Sequence, residues 1–261
     1  LFSGVSASLN AGKVGVVGKN GTGKSLLMSL IAKRQTGFTG SISVTPSLAF
    51  YQQSISAITD QTIAAFLGVE SVLQALTQIS NGQCEQNLFD VVGEQWQLPE
   101  TLSQQLMSMG LPRDPMTNCS VLSGGQQAKL RLWRTLKQKA ELTLLDEPSN
   151  HLDREGRRWL LDCLSAHRGA VIIVSHDREL LRTVDKIWEL ASGKLHQYAG
   201  NYDAYAHAKA VQQTAAEQKL KSLNKQKASM HRTAQLNAEK AEQRAAQGNK
   251  ARVRGSQPKV L

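Results

Sequence analysis

Cysteine is scarce in this chain and spaced wrongly for a scaffold: Cys84, Cys119 and Cys163 are odd in number, far apart, and form no C-x-x-C pair. That argues against a disulfide framework and a zinc site of the usual spacing, and free thiols buried in a protein of the reducing cytosol are expected. Long apolar runs are missing as well. No stretch approaches the roughly 18 residues a bilayer-crossing helix needs, and no signal peptide precedes the first apolar strand. A cytoplasmic protein without a transmembrane segment, peripheral to a membrane at most, is therefore expected. Residues 205–247 contain neither proline nor glycine, the two residues that most readily interrupt a helix. Acidic residues are also sparse near the end, where residues 209–261 hold 12 Lys and Arg against 3 Glu. Nearly all of the net charge of +10 thus sits in the last fifth of the chain, and a pI near 9.7 points to an acidic partner such as nucleic acid or an anionic membrane surface.

The remainder is rich enough in apolar residues, at 41%, to bury a core. Short apolar runs at residues 14–17, 142–145 and 171–174 read as buried parallel strands, each followed by a polar turn. This is the pattern of an α/β nucleotide-binding domain. Residues 54–122 change character to Gln-rich, helix-prone sequence such as SVLQALTQI and TLSQQLMSMG, read as an inserted helical subdomain. After SGKLHQYAGNYDAY, read as a terminal strand and turn, residues 205–247 form one long helix. At about 1.5 Å per residue it spans about 64 Å, far more than a body of some 200 residues can cover. It is expected to project or to lie along a partner. Val211, Leu220, Leu223, Met230 and Leu236 are too few and too irregular for a self-sufficient coiled coil. A returning helix is therefore expected, with GNKARVRGSQPK supplying a basic turn from Gly248.

Three stretches carry chemistry. GKNGTGKS, residues 18–25, matches G-x-x-x-x-G-K-S between a strand and an amphipathic helix. Its glycines let backbone N–H groups of Gly18, Asn20, Gly21, Thr22 and Gly23 wrap phosphate oxygens at a helix N-terminus. Lys24 would reach the β- and γ-phosphates and the Ser25 hydroxyl would ligate Mg²⁺. ELTLLDEPSNHLD, residues 141–153, ends a buried strand in two adjacent acids, an expensive placement without a cation. Asp146 is the expected Mg²⁺ ligand, and Glu147 is placed to orient or deprotonate an attacking water. VIIVSHDREL, residues 171–180, delivers His176 to the C-terminal end of another strand, where sheet ligands bind, for a γ-phosphate contact.

With these pieces the chain resembles the ABC ATPases, and VLSGGQQAKLRLWRTL carries that family's signature LSGGQ in full. The resemblance implies a P-loop NTPase fold of ABC type, with a helical subdomain at about 54–135 inside a cassette at 1–204, and a basic helical linker at 205–261 forming the first half of a hairpin. It also implies that Ser123 and Gly125 contact the γ-phosphate held by a facing cassette, with Gly124 and Gln126 among the cofactor-binding residues, so that ATP joins two cassettes. Gln53, beside Gln52 in AFYQQ, resembles the glutamine that joins Mg²⁺ and water to the helical subdomain.

EPSNHLD is similar to the EPTNHLD of the ABC-F group, soluble proteins with two cassettes, with Ser149 in place of Thr. QYAGNYDAY resembles the turn leading out of the first ABC-F cassette. The basic helix after it then resembles the linker that, in that group, enters the ribosome and meets tRNA. An ATPase acting on ribosomal RNA and tRNA, in translation regulation or antibiotic resistance, follows as the expectation. The chain would then be the N-terminal part of a longer protein, lacking the strand and aromatic residue that stack on adenine. The alternative is the cytoplasmic ATP-binding subunit of a membrane transporter, with separate membrane subunits. A DNA-maintenance ATPase fits less well, because its coiled coil usually separates the P-loop from the signature motif.

Overall fold

A computed structural model describes residues 2–52 and 58–255, with side chains through residue 230 and at Arg232. Six strands form one sheet: β1 (Lys13–Val17), β2 (Leu48–Tyr51), β3 (Leu142–Asp146), β4 (Ala170–Val174), β5 (Lys186–Ala191) and β6 (Lys194–Ala199), in the order β2-β3-β4-β1-β5-β6. The first five run parallel, with Lys13 opposite Val171 and Val17 opposite Glu189. β6 returns antiparallel through Ser192 and Gly193, both at positive φ (50° and 73°), the backbone a two-residue hairpin turn requires.

The pleat sends alternate side chains to opposite faces. Val14, Val16, Leu144, Ile172 and Val174 pack with Met28 of α1 (Lys24–Ile31) on one side. Val17, Leu145, Val171 and Ile173 pack on the other. There they meet α6 (Gly124–Lys137), α7 (Arg154–Ala166) and α8 (Arg178–Leu181) through Leu132, Leu160, Leu164, Leu180 and Leu181. Burial on both faces is why these strands read as continuous apolar runs.

Between β2 and β3 the chain forms α2 (Ile63–Leu67), α3 (Glu70–Ser80), α4 (Gln86–Val92) and α5 (Leu98–Ser108), followed by a 3₁₀ turn and α6. Ile63, Leu73, Leu102, Leu106 and Leu130 give this insertion its own core. The thiols divide: Cys119 is buried there, Cys163 is half-buried, and Cys84 is exposed. The expectation of three buried thiols is thus corrected at Cys84, which lies in the polar turn between α3 and α4.

The chain divides into two compact units, Leu1–Tyr205 and Ala206–Leu261. The last helix, α9 (Tyr202–Gly255), begins in the first and continues into the second. It runs on through Gly248, where a turn was expected. A helix-interior glycine costs only about 1 kcal/mol relative to alanine, and Ala245, Ala246, Gln247 and Ala251 around it favour helix. No helix among the described residues is long and apolar enough to cross a membrane.

Candidate active site

The C-terminal ends of β1, β3 and β4, adjacent in the sheet, bring the first group of expected residues together. After β1 the loop at residues 18–23 turns into α1. Gly21 and Gly23 hold φ of 79° and 98°, and Gly23 at the N-cap offers no side chain to the helix end. The first N–H groups of α1 therefore face the loop without an internal acceptor. Gly18 is needed for a different reason: a Cβ there would lie 2.5 Å from the Leu190 carbonyl oxygen. Thr22 closes the loop by donating its hydroxyl to the Lys19 carbonyl at 2.8 Å. Lys24 is buried, and its Nζ donates to the carbonyls of Gly18 (2.9 Å) and Lys19 (3.2 Å).

Asp146 ends β3 at 4% exposure, and its Oδ1 is buried without a hydrogen-bond partner. Burial pushes its carboxyl above the usual carboxylate range, against the opposite pull of the Ser25 hydroxyl and the Lys24 ammonium. An orphaned carboxylate oxygen beside a serine hydroxyl, next to uncapped helical N–H groups, is a donor set that fits a divalent cation with a polyphosphate. Glu147 follows at φ 47°, and its N–H donates to the Val174 carbonyl at 2.9 Å. This fixes its turn against the end of β4. Burial raises the Glu147 carboxyl, and the neighbouring His176 and Lys24 lower it. His176 Nε2 stands 3.4 Å from Glu147 Oε1.

A feature that the motifs did not reveal joins these two turns. Ser149 and Ser175, both buried, meet hydroxyl to hydroxyl at 3.4 Å, and Ser175 Oγ accepts from the Asp177 N–H at 3.0 Å. Ser175 is fully enclosed, so this pairing keeps its hydroxyl partnered away from water. Gln52 accepts from Arg34 at 3.1 Å; Gln53 lies outside the described residues.

The signature residues form a second constellation. Ser123 N-caps α6 in a capping box: its hydroxyl accepts from the Gln126 N–H at 3.3 Å, and Gln126 Oε1 accepts from the Ser123 N–H at 3.0 Å. Gln126 Nε2 donates to the Gly110 carbonyl at 2.8 Å. The Gln126 side chain thus bonds within its own cassette. Gly125 is required by the His151 carbonyl, which would lie 2.9 Å from a Cβ. Lys129 pairs with Asp153 at 3.4 Å, and Asp153 N-caps α7 by accepting from Gly156 at 2.7 Å. The turn at residues 147–153 thus touches both constellations.

The ABC transporter family matches residues 2–150. The ATP-binding protein Uup of Escherichia coli is 36% identical over 213 residues, which is 74% of this chain and 33% of that protein. The ABC transporter ATP-binding protein YfmR of Bacillus subtilis is 32% identical over 241 residues, 84% of this chain and 38% of its own length. The energy-dependent translational throttle protein EttA of Mycobacterium tuberculosis is 30% identical over 220 residues, 76% and 39% respectively. The chain thus spans little more than a third of the length of these relatives. A solved ATP-binding subunit of an ABC transporter superposes with a TM-score of 0.56 at 18% identity, covering 76% of this chain and 83% of that one, a likeness of fold. The chain belongs to the ABC ATPase family, and its relatives Uup and EttA are ABC-F proteins.

Proposed function

We propose that this chain is the cassette and basic linker of an ABC-F ATPase that acts on the ribosome in the cytoplasm. ATP and Mg²⁺ would be held by residues 18–25, in a site completed by a second cassette. The observation that carries the reading is the meeting of Glu147 and His176 at 3.4 Å, beside the buried, unpartnered oxygen of Asp146.

Asp146 and Ser25 are the residues that would hold Mg²⁺, with Gln53 as the further ligand implied by the resemblance. The ion, when bound, neutralises charge on the phosphate oxygens. Lys24 exchanges its loop carbonyls for phosphate oxygens, and the helical N–H groups of α1 supply fixed positive ends. Glu147 orients the attacking water and takes its proton, an effect of about 10²- to 10⁴-fold in rate. Its raised affinity for a proton, caused by burial, suits a base better than an exposed carboxylate would. His176 holds that carboxylate in place and would contact the γ-phosphate. Ser123 and the N–H groups of Gly124 and Gly125 serve the phosphate of the facing cassette rather than that of their own.

The basic helix supports the ribosomal half of the reading. Lys219, Lys221, Lys225, Lys227 and Arg232 are all exposed, as phosphate neutralisation on rRNA and tRNA requires. EttA is named as a translational throttle protein, which supports the same direction. The transporter alternative shares the phosphate chemistry, and the solved transporter proteins support it only as likenesses of fold, at 18% and 23% identity. The test is Glu147→Gln in the full-length protein with ATP, followed by sucrose-gradient sedimentation. The expected outcome is a stalled, ATP-bound protein that travels with ribosomes. An ATP-loaded variant that stays at the top of the gradient at low salt overturns the ribosomal reading.

A further inference from the structure

The tyrosines of residues 197–205 surround one buried carboxylate that the nucleotide chemistry leaves unused. Glu189, in the middle of β5, is 8% exposed. Its Oε2 accepts from the Tyr198 hydroxyl at 3.1 Å and its Oε1 from the Tyr205 hydroxyl at 2.9 Å. The rings of Tyr198 and Tyr205 meet edge-on with centroids 5.0 Å apart, and Tyr202 lies 6.0 Å from Tyr205. A carboxylate withdrawn from water needs donors in its place. Here they come from two other elements: Tyr198 reaches Glu189 from β6, and Tyr205 from the first turn of α9.

A second fastening reaches the same turn from α8. Arg182 Nε donates to both Asp203 oxygens at 3.1 Å, and the Arg178 guanidinium lies 5.6 Å from the Tyr202 ring centre. Asn201 donates to the Arg182 carbonyl at 3.4 Å and accepts from the Asp203 N–H at 3.1 Å. The start of α9 is thus bonded to two segments, and each leads within a residue or two into the nucleotide site. Helix α8 follows directly on His176 and is N-capped by Asp177. On β5, Glu189 pairs with Val17, and the next residue's carbonyl is the one packed against Gly18.

We propose that Glu189 and Tyr205 are positioning residues through which the state of the phosphate loop is imposed on the root of α9. The proposal rests on residues 18–25 being an ATP site. A movement of Gly18 or His176 on nucleotide binding shifts β5 or α8. The first turn of α9 follows because its Tyr205 hydroxyl is held by the buried Glu189 carboxylate. Coupling of this kind travels through packed, hydrogen-bonded contacts with few alternatives.

The test is hydrogen–deuterium exchange on the 261-residue protein, with and without Mg²⁺ and β,γ-imido-ATP, comparing the natural sequence with Tyr205→Phe and Tyr198→Phe. Each substitution removes one hydroxyl and keeps its ring. In the natural protein, nucleotide is expected to slow exchange both at residues 12–30 and at residues 200–215. Tyr205→Phe is expected to bind nucleotide within about twofold and to keep the first effect while losing at least half of the second. Tyr198→Phe, which frees β6 and not α9, is expected to keep both. An undiminished effect at residues 200–215 in Tyr205→Phe, equal losses in the two variants, or no effect there in the natural protein overturns the coupling. No protection at residues 12–30 in the natural protein would instead remove the ATP site on which the proposal rests.

Discussion

Replacing Gly18 by alanine tests whether the phosphate loop is shaped by its fit against β5. The new Cβ would sit 2.5 Å from the Leu190 carbonyl oxygen and 3.0 Å from Thr22 Oγ1. The threonine can turn away, but the carbonyl is backbone in a strand bonded on both sides. Ordinary contact therefore demands a separation of roughly 1 Å at the end of the β1–β5 ladder, an overpacking that costs about 1–3 kcal/mol. Losing one ladder hydrogen bond there adds about 1 kcal/mol. A destabilisation of about 2–4 kcal/mol lowers Tm by about 5–15 °C in a unit of this size, as circular dichroism would record. Mg-ATP affinity should fall more than tenfold by fluorescence titration, because the displaced loop no longer aims its N–H groups. Gly21→Ala is the control: nothing lies within 4 Å of its Cβ, and only its φ of 79° is strained, at about 1–2 kcal/mol. A Gly18→Ala protein as stable as Gly21→Ala, with ATP affinity within twofold of the natural protein, would refute the reasoning.

Other outcomes follow from buried polar pairs. Burial and the nearby Lys13 lower the affinity of His167 for a proton below its ordinary value of 6.5, and its ring lies 3.4 Å from the buried Thr143 hydroxyl. The unfolded chain then takes the proton first, so stability should be full above about pH 7. It should decline as pH falls through 6.5 and below, and His167→Gln should flatten that slope in Tm measured from pH 7.5 to 5.5. Ser149→Ala removes the hydroxyl partner of the buried Ser175 and should cost about 1–3 kcal/mol in urea unfolding. In the full-length ATPase it should lower kcat with little change in KM, and Ser149→Thr should restore both. Ser123→Ala removes the cap of α6 and should cost about 1 kcal/mol by thermal unfolding.

The parts of the fold that were legible in the sequence are those fixed by neighbours in sequence. Val14, Val16 and Ile172 announce strands because both faces of a parallel sheet are covered. The loop at residues 18–25 is read from its own glycines, lysine and serine, and Asp146 and Glu147 from the apolar run they terminate. What escaped depends on partners far along the chain. Glu189 inside KIWELA gives no sign of the tyrosines that stabilise it, since Tyr198 and Tyr205 approach from two later elements. The side-chain direction of Gln126 is set by the Gly110 carbonyl, and Ser149 gains its role only when β3 and β4 lie side by side. Cys84 looks apolar by type, but a turn between short helices exposes it. The end of α9 was misplaced because a single glycine weighs less than the alanines around it.

The capping box at Ser123 has a consequence for what the signature loop can recognise. Gln126 accepts from the Ser123 N–H and donates an amide proton to Gly110, so its amide is engaged within its own cassette. The groups left at the start of α6 are mainly donors: the N–H groups of Gly124 and Gly125 and the Ser123 hydroxyl proton, with the hydroxyl oxygen accepting from the Gln126 N–H. Such a surface is donor-rich and suits an oxyanion better than a base amino group. Selectivity for phosphate over the rest of a nucleotide would then come from what the glutamine takes away as much as from what the glycines present.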